Sequence, residues 1–490
     1  MKKHLSTITL LVLFSYSSFL NAQSDLQKLI GAMLADTPIE ENLQELCDEI
    51  GGRVTGSAAN KKAVDWALEK FQAANVSAKK EPFEMPVLWL EKATTATVSN
   101  LAKDINFSPR LVSKYHSKPG NYKGSIIYAG KGEDAFFEKE GVNCSGNFIL
   151  VDSDLCLDIN GLFSEYAAAA NVELAAEKVG AKGIIFMSSR PAGLLYRFIT
   201  SKTTNNHIPQ FVMSREDAKR CVRLIENGMN LNFDVNIDAE VGGQFTSHNV
   251  IAEIKGSEKP EEFVVIGAHI DSWALGTGAN DNGCNVNMMI DIARQIKKHN
   301  IKPKRTIRFA LWNGEEQGYF GSWAYTKDHE KELDKHIMAL SIDIGSGAIA
   351  GFFTNGEEKL VAAVDEVLKP VAGLGDFTQL NVPIVGTDNL DFMLQGVGNL
   401  VGNHLPQVYG PTYHATSDTY DKVDLKSLKR NSAIVATLAL GFANLPDEKI
   451  TWHRRSRAEV QEIFDEHNLE FTMRMFSLWE SWINRTRGRK

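Results

Sequence analysis

Three strand-like apolar runs in this chain each end on acidic or imidazole side chains, and that pattern restricts the fold more than any other feature. Phe263 to Ala268 leads into His269 in A-H-I-D-S-W, residues 268–273. Thr306 to Trp312 stops just before Glu315 and Glu316 in W-N-G-E-E-Q-G, residues 312–318. Ile337 to Ile342 ends at Asp343. Between the first two runs, Val286, Met289, Ile290, Ala293 and Ile296 recur at helical spacing. Strand, loop, helix, strand is a βαβ unit of a parallel or mixed sheet. The expected fold class is therefore α/β. Ligands and catalytic groups of such sheets gather beyond the carboxyl ends of the strands. His269, Asp281 of G-A-N-D-N-G (278–283), Glu315, Glu316 and Asp343 are all predicted there.

One imidazole and four carboxylates on one rim repel one another unless a cation lies between them. Borderline cations such as Zn²⁺ take this mixture of His and carboxylate ligands. Two ions need five protein residues if one carboxylate bridges, and a second imidazole is offered by His414 in Y-H-A-T-S-D-T, residues 413–419.

At 490 residues the chain exceeds the usual size of a single core, so two domains or one domain with an insertion are expected. A net charge of −8 argues against nucleic acid or an anionic membrane as the main partner. The chain has no Walker loop. Residues 1–22 read as a secretory signal: Lys2 and Lys3, an apolar core through Leu20, and cleavage after Ala22. The apolar run is short of the roughly 20 residues of a spanning helix, so no stable membrane anchor is expected after cleavage, and the mature protein is expected to be secreted or periplasmic. Of the five cysteines, Cys144 and Cys156 are the one pair considered for a bridge, because they flank the strand-like run Phe148 to Val151. Cys284 reads as a small buried hydrophobe.

In chain order, residues 23–108 form an amino-terminal part of the catalytic domain, mostly helical up to about Val87. A glycine-punctuated loop, G-G-R-V-T-G-S at 51–57, reads either as a turn or as a wall beside a substrate site. Residues 109–243 change character: short β-rich pieces, glycine turns and one alanine-rich helix around Glu165 to Val179. They lack clustered His, Asp and Glu and are assigned no chemistry. Residues 244–447 return to the catalytic pattern. Residues 448–490 form a helical extension whose apolar stripe (Val460, Ile463, Phe464, Phe471, Met475, Leu478, Trp482) packs on its own domain or on a homodimer partner. A membrane-surface helix is the alternative, which glutamates on the polar face disfavour.

His269, Asp281, Glu315-Glu316, Asp343 and His414, in that order and in those local motifs, resemble the dinuclear zinc exopeptidase family of bacterial leucyl aminopeptidases and glutamate carboxypeptidase II. The spacings look most like its carboxypeptidase Q branch. The resemblance covers nearly the whole chain before the extension. It implies a three-layer α/β/α domain with a mixed sheet, and a protease-associated domain at 109–243. The G-G-R-V-T-G-S loop is similar to the family's amino-terminal signature, whereas Asn285 stands where a glycine is common.

The resemblance also implies two zinc ions per chain, bridged by Asp281, with His269 and Asp343 on one and Glu316 and His414 on the other. Glu315 would be the general base that takes a proton from a metal-activated water and returns it to the leaving amine. Asp271 would orient the His269 imidazole. Tyr413 matches a position where some members place an oxyanion-stabilising phenol. The implied substrate is a short peptide or dipeptide. No Arg or Lys between Asn381 and His414 grips a substrate carboxylate, so aminopeptidase, carboxypeptidase and dipeptidase readings stay open. A single-zinc acyltransferase of the glutaminyl cyclase type and a non-catalytic receptor-like homologue are disfavoured by the complete ligand set.

Overall fold

The apolar runs pair into a seven-stranded mixed sheet in the order Ser77–Met85, Phe245–Ile254, Arg305–Trp312, Lys259–His269, His336–Ser341, Asn399–His404, Ile349–Phe353. The computed structural model of the protein describes residues 24–156, 159–199, 208–405 and 409–490. The expected signal and its cleavage after Ala22 lie outside these residues. The strands from Arg305–Trp312 through Asn399–His404 run parallel, and the remaining three join antiparallel.

Period-two alternation distributes the side chains of these strands between two cores. Val264, Ile266, Ile307, Phe309 and Leu340 face the helices Cys284–Lys298 and Leu425–Asn444. Val265, Ala310, Trp312 and Ala339 face the other way, toward Tyr325 and Phe392 on the helices Phe320–Asp328 and Asn389–Leu394. Helices on both faces make three layers, as the resemblance implies. The predicted βαβ unit is present: Lys259–His269, Cys284–Lys298, Arg305–Trp312.

The second, eight-stranded sheet begins earlier than the expected boundary at residue 109. Its strand Leu88–Asn100 pairs antiparallel with Asn232–Gly242, from Leu88↔Gly242 to Ser99↔Asn232. That ladder lies close to the one pairing Met85 with Phe245, so the chain passes between the sheets through the short connections 86–87 and 243–244. The alternating, half-polar sequence of 88–100 belongs with its partner in the module, and only the long-range pairing reveals this. The expected helical character before Val87 also fails at Ser77–Met85, an edge strand whose charged, exposed face hides its β pattern.

All five cysteines are buried, and none forms a disulfide, Cys144 and Cys156 included. The extension folds as three short helices, Arg457–Glu466, Leu469–Met475 and Trp479–Ile483. They bury Val460, Phe464, Trp479 and Trp482 against Leu390, Met393 and Leu394 of the same chain. Among the described residues no helix is long and apolar enough to cross a membrane.

Candidate metal centre

His269 ends its strand, and Asp281 lies in the loop that opens the Cys284–Lys298 helix. Glu315 and Glu316 follow the Arg305–Trp312 strand, and Asp343 follows His336–Ser341. All are buried. Nε2 of His269 lies 2.8 Å from Asp343 Oδ1 and 3.1 Å from Asp281 Oδ1. Nε2 of His414 lies 3.0 Å from Glu316 Oε2 and 3.3 Å from Asp281 Oδ2. Asp281 therefore offers one oxygen to each of two sets, His269-Asp281-Asp343 and Asp281-Glu316-His414.

Roughly 2.0–2.2 Å from a tetrahedral zinc, neighbouring ligand atoms lie about 3.3–3.6 Å apart, close to the longer of these separations. Asp281 Oδ2 and Glu316 Oε1 are buried without a hydrogen-bond partner among the described residues. Buried polar atoms of this kind call for a cation or a proton. The donor set thus fits two borderline divalent ions sharing Asp281.

The electrostatics give the same picture. Burial alone would raise the Asp281 carboxyl, but the flanking imidazoles of His269 and His414 hold it below the usual range. Burial pushes Glu316 up to about 7, partly offset by His414. Burial also raises Asp343, against the pull of His269. Burial opposes protonation of His414, yet Glu316 and Asp281 raise it to about 9. Without a cation, protons must balance the site.

Glu315 belongs to neither set and faces the cavity beside them. Burial, opposed by His269 and reinforced by Asp343, Asp388 and Glu316, holds its carboxyl well above the usual range. Tyr413 lines the same cavity, stacks on His414 at 3.6 Å between ring centroids, and meets the Tyr166 hydroxyl at 2.9 Å. Burial, with Tyr166 and Tyr409 beside it, keeps the Tyr413 phenol protonated well above its ordinary range.

Asp271 acts on His269 differently from expectation. Its main-chain carbonyl lies 3.1 Å from Nδ1 of His269, whereas its carboxylate is 3.7 Å away, beyond hydrogen-bond reach. The carboxylate instead accepts the backbone N–H groups of Glu315 and Glu316, each at 3.3 Å, and the Thr55 hydroxyl at 3.0 Å. The G-G-R-V-T-G-S loop is likewise a brace, with no residue lining the cavity. Its buried Arg53 donates to the carbonyls of Ile270, Thr277 and Gly278 at 2.6, 2.8 and 2.9 Å. Asn285 bridges Asn282 at 2.6 Å and the Gly345 carbonyl at 3.3 Å, links a glycine cannot make.

Several participants escaped the sequence reading. Asp418, inside the quoted 413–419 motif, accepts the backbone N–H groups of Asn280 and Asp281 at 2.7 and 3.1 Å. The module assigned no chemistry contributes Leu162, Tyr166 and Ile199 to the cavity wall. It also holds the His414 segment. Arg197 N donates to the His414 carbonyl at 3.0 Å, and Thr416 N donates to Leu195 O at 2.9 Å. His414 itself has φ of 54°, an unusual conformation for a non-glycine residue that its surroundings must sustain.

Residues 249–439 match peptidase family M28. The region that carries the site is thus similar to that family. Human carboxypeptidase Q is 29% identical over 242 residues, 49% of this chain and 51% of that protein. The matched region thus spans about half the length of these curated relatives. The crystal structure of a peptidase M28 precursor from Shewanella amazonensis SB2B aligns with a TM-score of 0.79 at 27% identity, covering 89% of this chain and 98% of that one. A zinc aminopeptidase from Bacillus subtilis aligns with a TM-score of 0.64 at 22% identity, covering 81% and 93%. The M28 match includes every expected metal ligand and ends before the carboxy-terminal extension.

Proposed function

We propose that the protein is a secreted or periplasmic dinuclear zinc exopeptidase that releases terminal residues from short peptides or dipeptides, in the manner of carboxypeptidase Q. The observation that carries this reading is the split of the Asp281 carboxylate between two His-carboxylate sets. A single-zinc acyltransferase has no use for the second set. The residues that would hold the ions are His269 and Asp343 on one side, Glu316 and His414 on the other, with Asp281 between them. When bound, the ions supply Lewis acidity toward the scissile carbonyl and toward the attacking water.

The remaining chemistry belongs to the chain. Glu315 points into the cavity while its neighbour turns to His414, so its carboxylate takes the water's proton and carries it to the leaving amine. Its raised affinity for protons suits both steps. Tyr413, kept protonated, donates to the developing oxyanion, and Asp271 fixes the backbone on which both glutamates ride. The module expected at 109–243 as a protease-associated domain supplies one wall of the cavity, and its residues 195–197 steady His414.

Aminopeptidase action is the second reading. The cavity contains carboxylates and, among the described residues, no Lys or Arg lines it to bind a free substrate carboxylate. Release profiles on unblocked, amino-blocked and carboxyl-blocked dipeptides test both readings. Loss of activity on amino-blocking alone identifies the aminopeptidase, and loss on carboxyl-blocking alone the carboxypeptidase. Loss on either block identifies a dipeptidase, and no hydrolysis by zinc-loaded protein overturns the peptidase reading.

A further inference from the structure

The metal cavity has two unlike sides. Carboxylates and the His414 imidazole form one; Leu162, Ile199, Ile344, Ile384, Val385 and Phe476 form the other. Phe476 comes from the extension, beyond the M28 match. Its ring lies 5.5 Å from that of Tyr166, centroid to centroid, so extension and module meet at the cavity wall.

The backbone fixes Phe476 there. The Leu469–Met475 helix ends in a left-handed residue, Ser477, with φ of 58°. Leu478 N donates to Met473 O at 2.7 Å and Ser477 N to Arg474 O at 2.9 Å. This pair of bonds closes a helix through a left-handed residue, and Leu478 and Met473 are buried in the same apolar cluster. Phe476, the residue just before the reversal, is thereby turned toward the cavity.

The end of the chain is anchored to the catalytic loop. Arg487, 4% exposed, forms a two-pronged pair with Asp391, Nε to Oδ1 at 2.8 Å and Nη2 to Oδ2 at 2.6 Å. The same guanidinium donates to the carbonyls of Gly318 and Tyr319 at 3.1 and 3.2 Å, in the turn that follows Glu316. The extension is thus registered against the metal ligands.

We propose that Phe476 is a specificity-determining residue: it completes the apolar wall of the cavity and selects substrates whose bound terminal residue carries an uncharged, apolar side chain. The proposal rests on the peptidase reading. An ammonium or carboxylate pressed against this wall would lose its water without gaining a partner. A leucine-sized side chain would exchange water for the phenyl ring.

The test is steady-state kinetics of the zinc-loaded full chain on unblocked dipeptides, with either residue varied through Ala, Leu, Lys and Glu. The wild type should favour Leu over Lys and Glu at one position. Phe476→Ala should raise KM for the Leu peptide about tenfold, the scale of a lost pocket contact. Its kcat and zinc content should stay near those of the wild type, and Phe476→Leu should recover most of the loss. Phe471→Ala, which removes a 59% exposed ring from the same helix, controls for general damage to the extension and should leave the Leu to Lys preference intact. An active wild type whose preference survives Phe476→Ala overturns the inference and leaves the peptidase reading standing. Equal loss of preference in Phe471→Ala also overturns it. A wild type inactive on the whole panel overturns the peptidase reading, and the inference with it.

Discussion

Asp271 carries Glu316: its carboxylate accepts the Glu316 backbone N–H at 3.3 Å, as it does that of Glu315. One buried side chain thus sets the position of a proposed metal ligand and of the proposed base. Asn in its place keeps the shape but turns an acceptor into a donor facing a backbone N–H. Asp271→Asn should cost about 10- to 100-fold in metal affinity or activity, the usual range for residues that support metal ligands. Zinc titration and kcat on the same preparation check this.

Glu315 and Glu316 should separate cleanly. Glu315→Gln should lower kcat by at least ~10²-fold, with zinc content and KM little changed, because Glu315 stands outside both ligand sets. Glu316→Gln should weaken the ion shared with His414 and make activity depend on added zinc. Metal analysis beside kinetics distinguishes the two. Zinc loss in Glu315→Gln would exchange their roles.

The Arg487–Asp391 pair is almost fully buried. Removing one partner of such a pair strands the other charge, at a cost of about 3–5 kcal/mol. Arg487→Ala should therefore lower Tm and urea midpoint markedly, whereas Arg487→Met combined with Asp391→Leu should recover much of the loss. Thermal and urea unfolding of the three proteins measure it.

His336 gives the fold a pH dependence outside the metal centre. Its Nδ1–H donates to Glu332 O and its Nε2 accepts the Tyr325 hydroxyl, both at 2.9 Å, which fixes the neutral ring. Burial, with Arg308 nearby, depresses its pKa to about 3. The unfolded chain binds this proton near pH 6.5, so the unfolded state gains protons first on acidification. The contribution of His336 is complete above pH 6.5 and declines as pH falls toward 3. Urea midpoints of the wild type should drop more steeply than those of His336→Gln between pH 7 and 5. Parallel slopes would contradict the assignment.

The central sheet and the clustering of the expected ligands were legible because buried parallel strands leave unbroken apolar runs and the polar groups at their ends sit in short local motifs. Asp418 lay in view within such a motif, but its partner backbone at Asn280 and Asp281 did not. The strand Leu88–Asn100 reads as a half-polar segment until Asn232–Gly242 pairs with it. Tyr166, Arg197, Phe476 and Arg487 reach the centre from segments far along the chain, and nothing local marks them. Their roles arise from tertiary contacts that hydrophobic periodicity does not encode.

The central claim is a two-ion centre bridged by Asp281, and metal stoichiometry of the purified chain tests it most directly. Two zinc ions per chain are predicted for the wild type, with both lost in Asp281→Ala. One zinc per fully active chain, or an Asp281→Ala protein that keeps its full metal content, would contradict it.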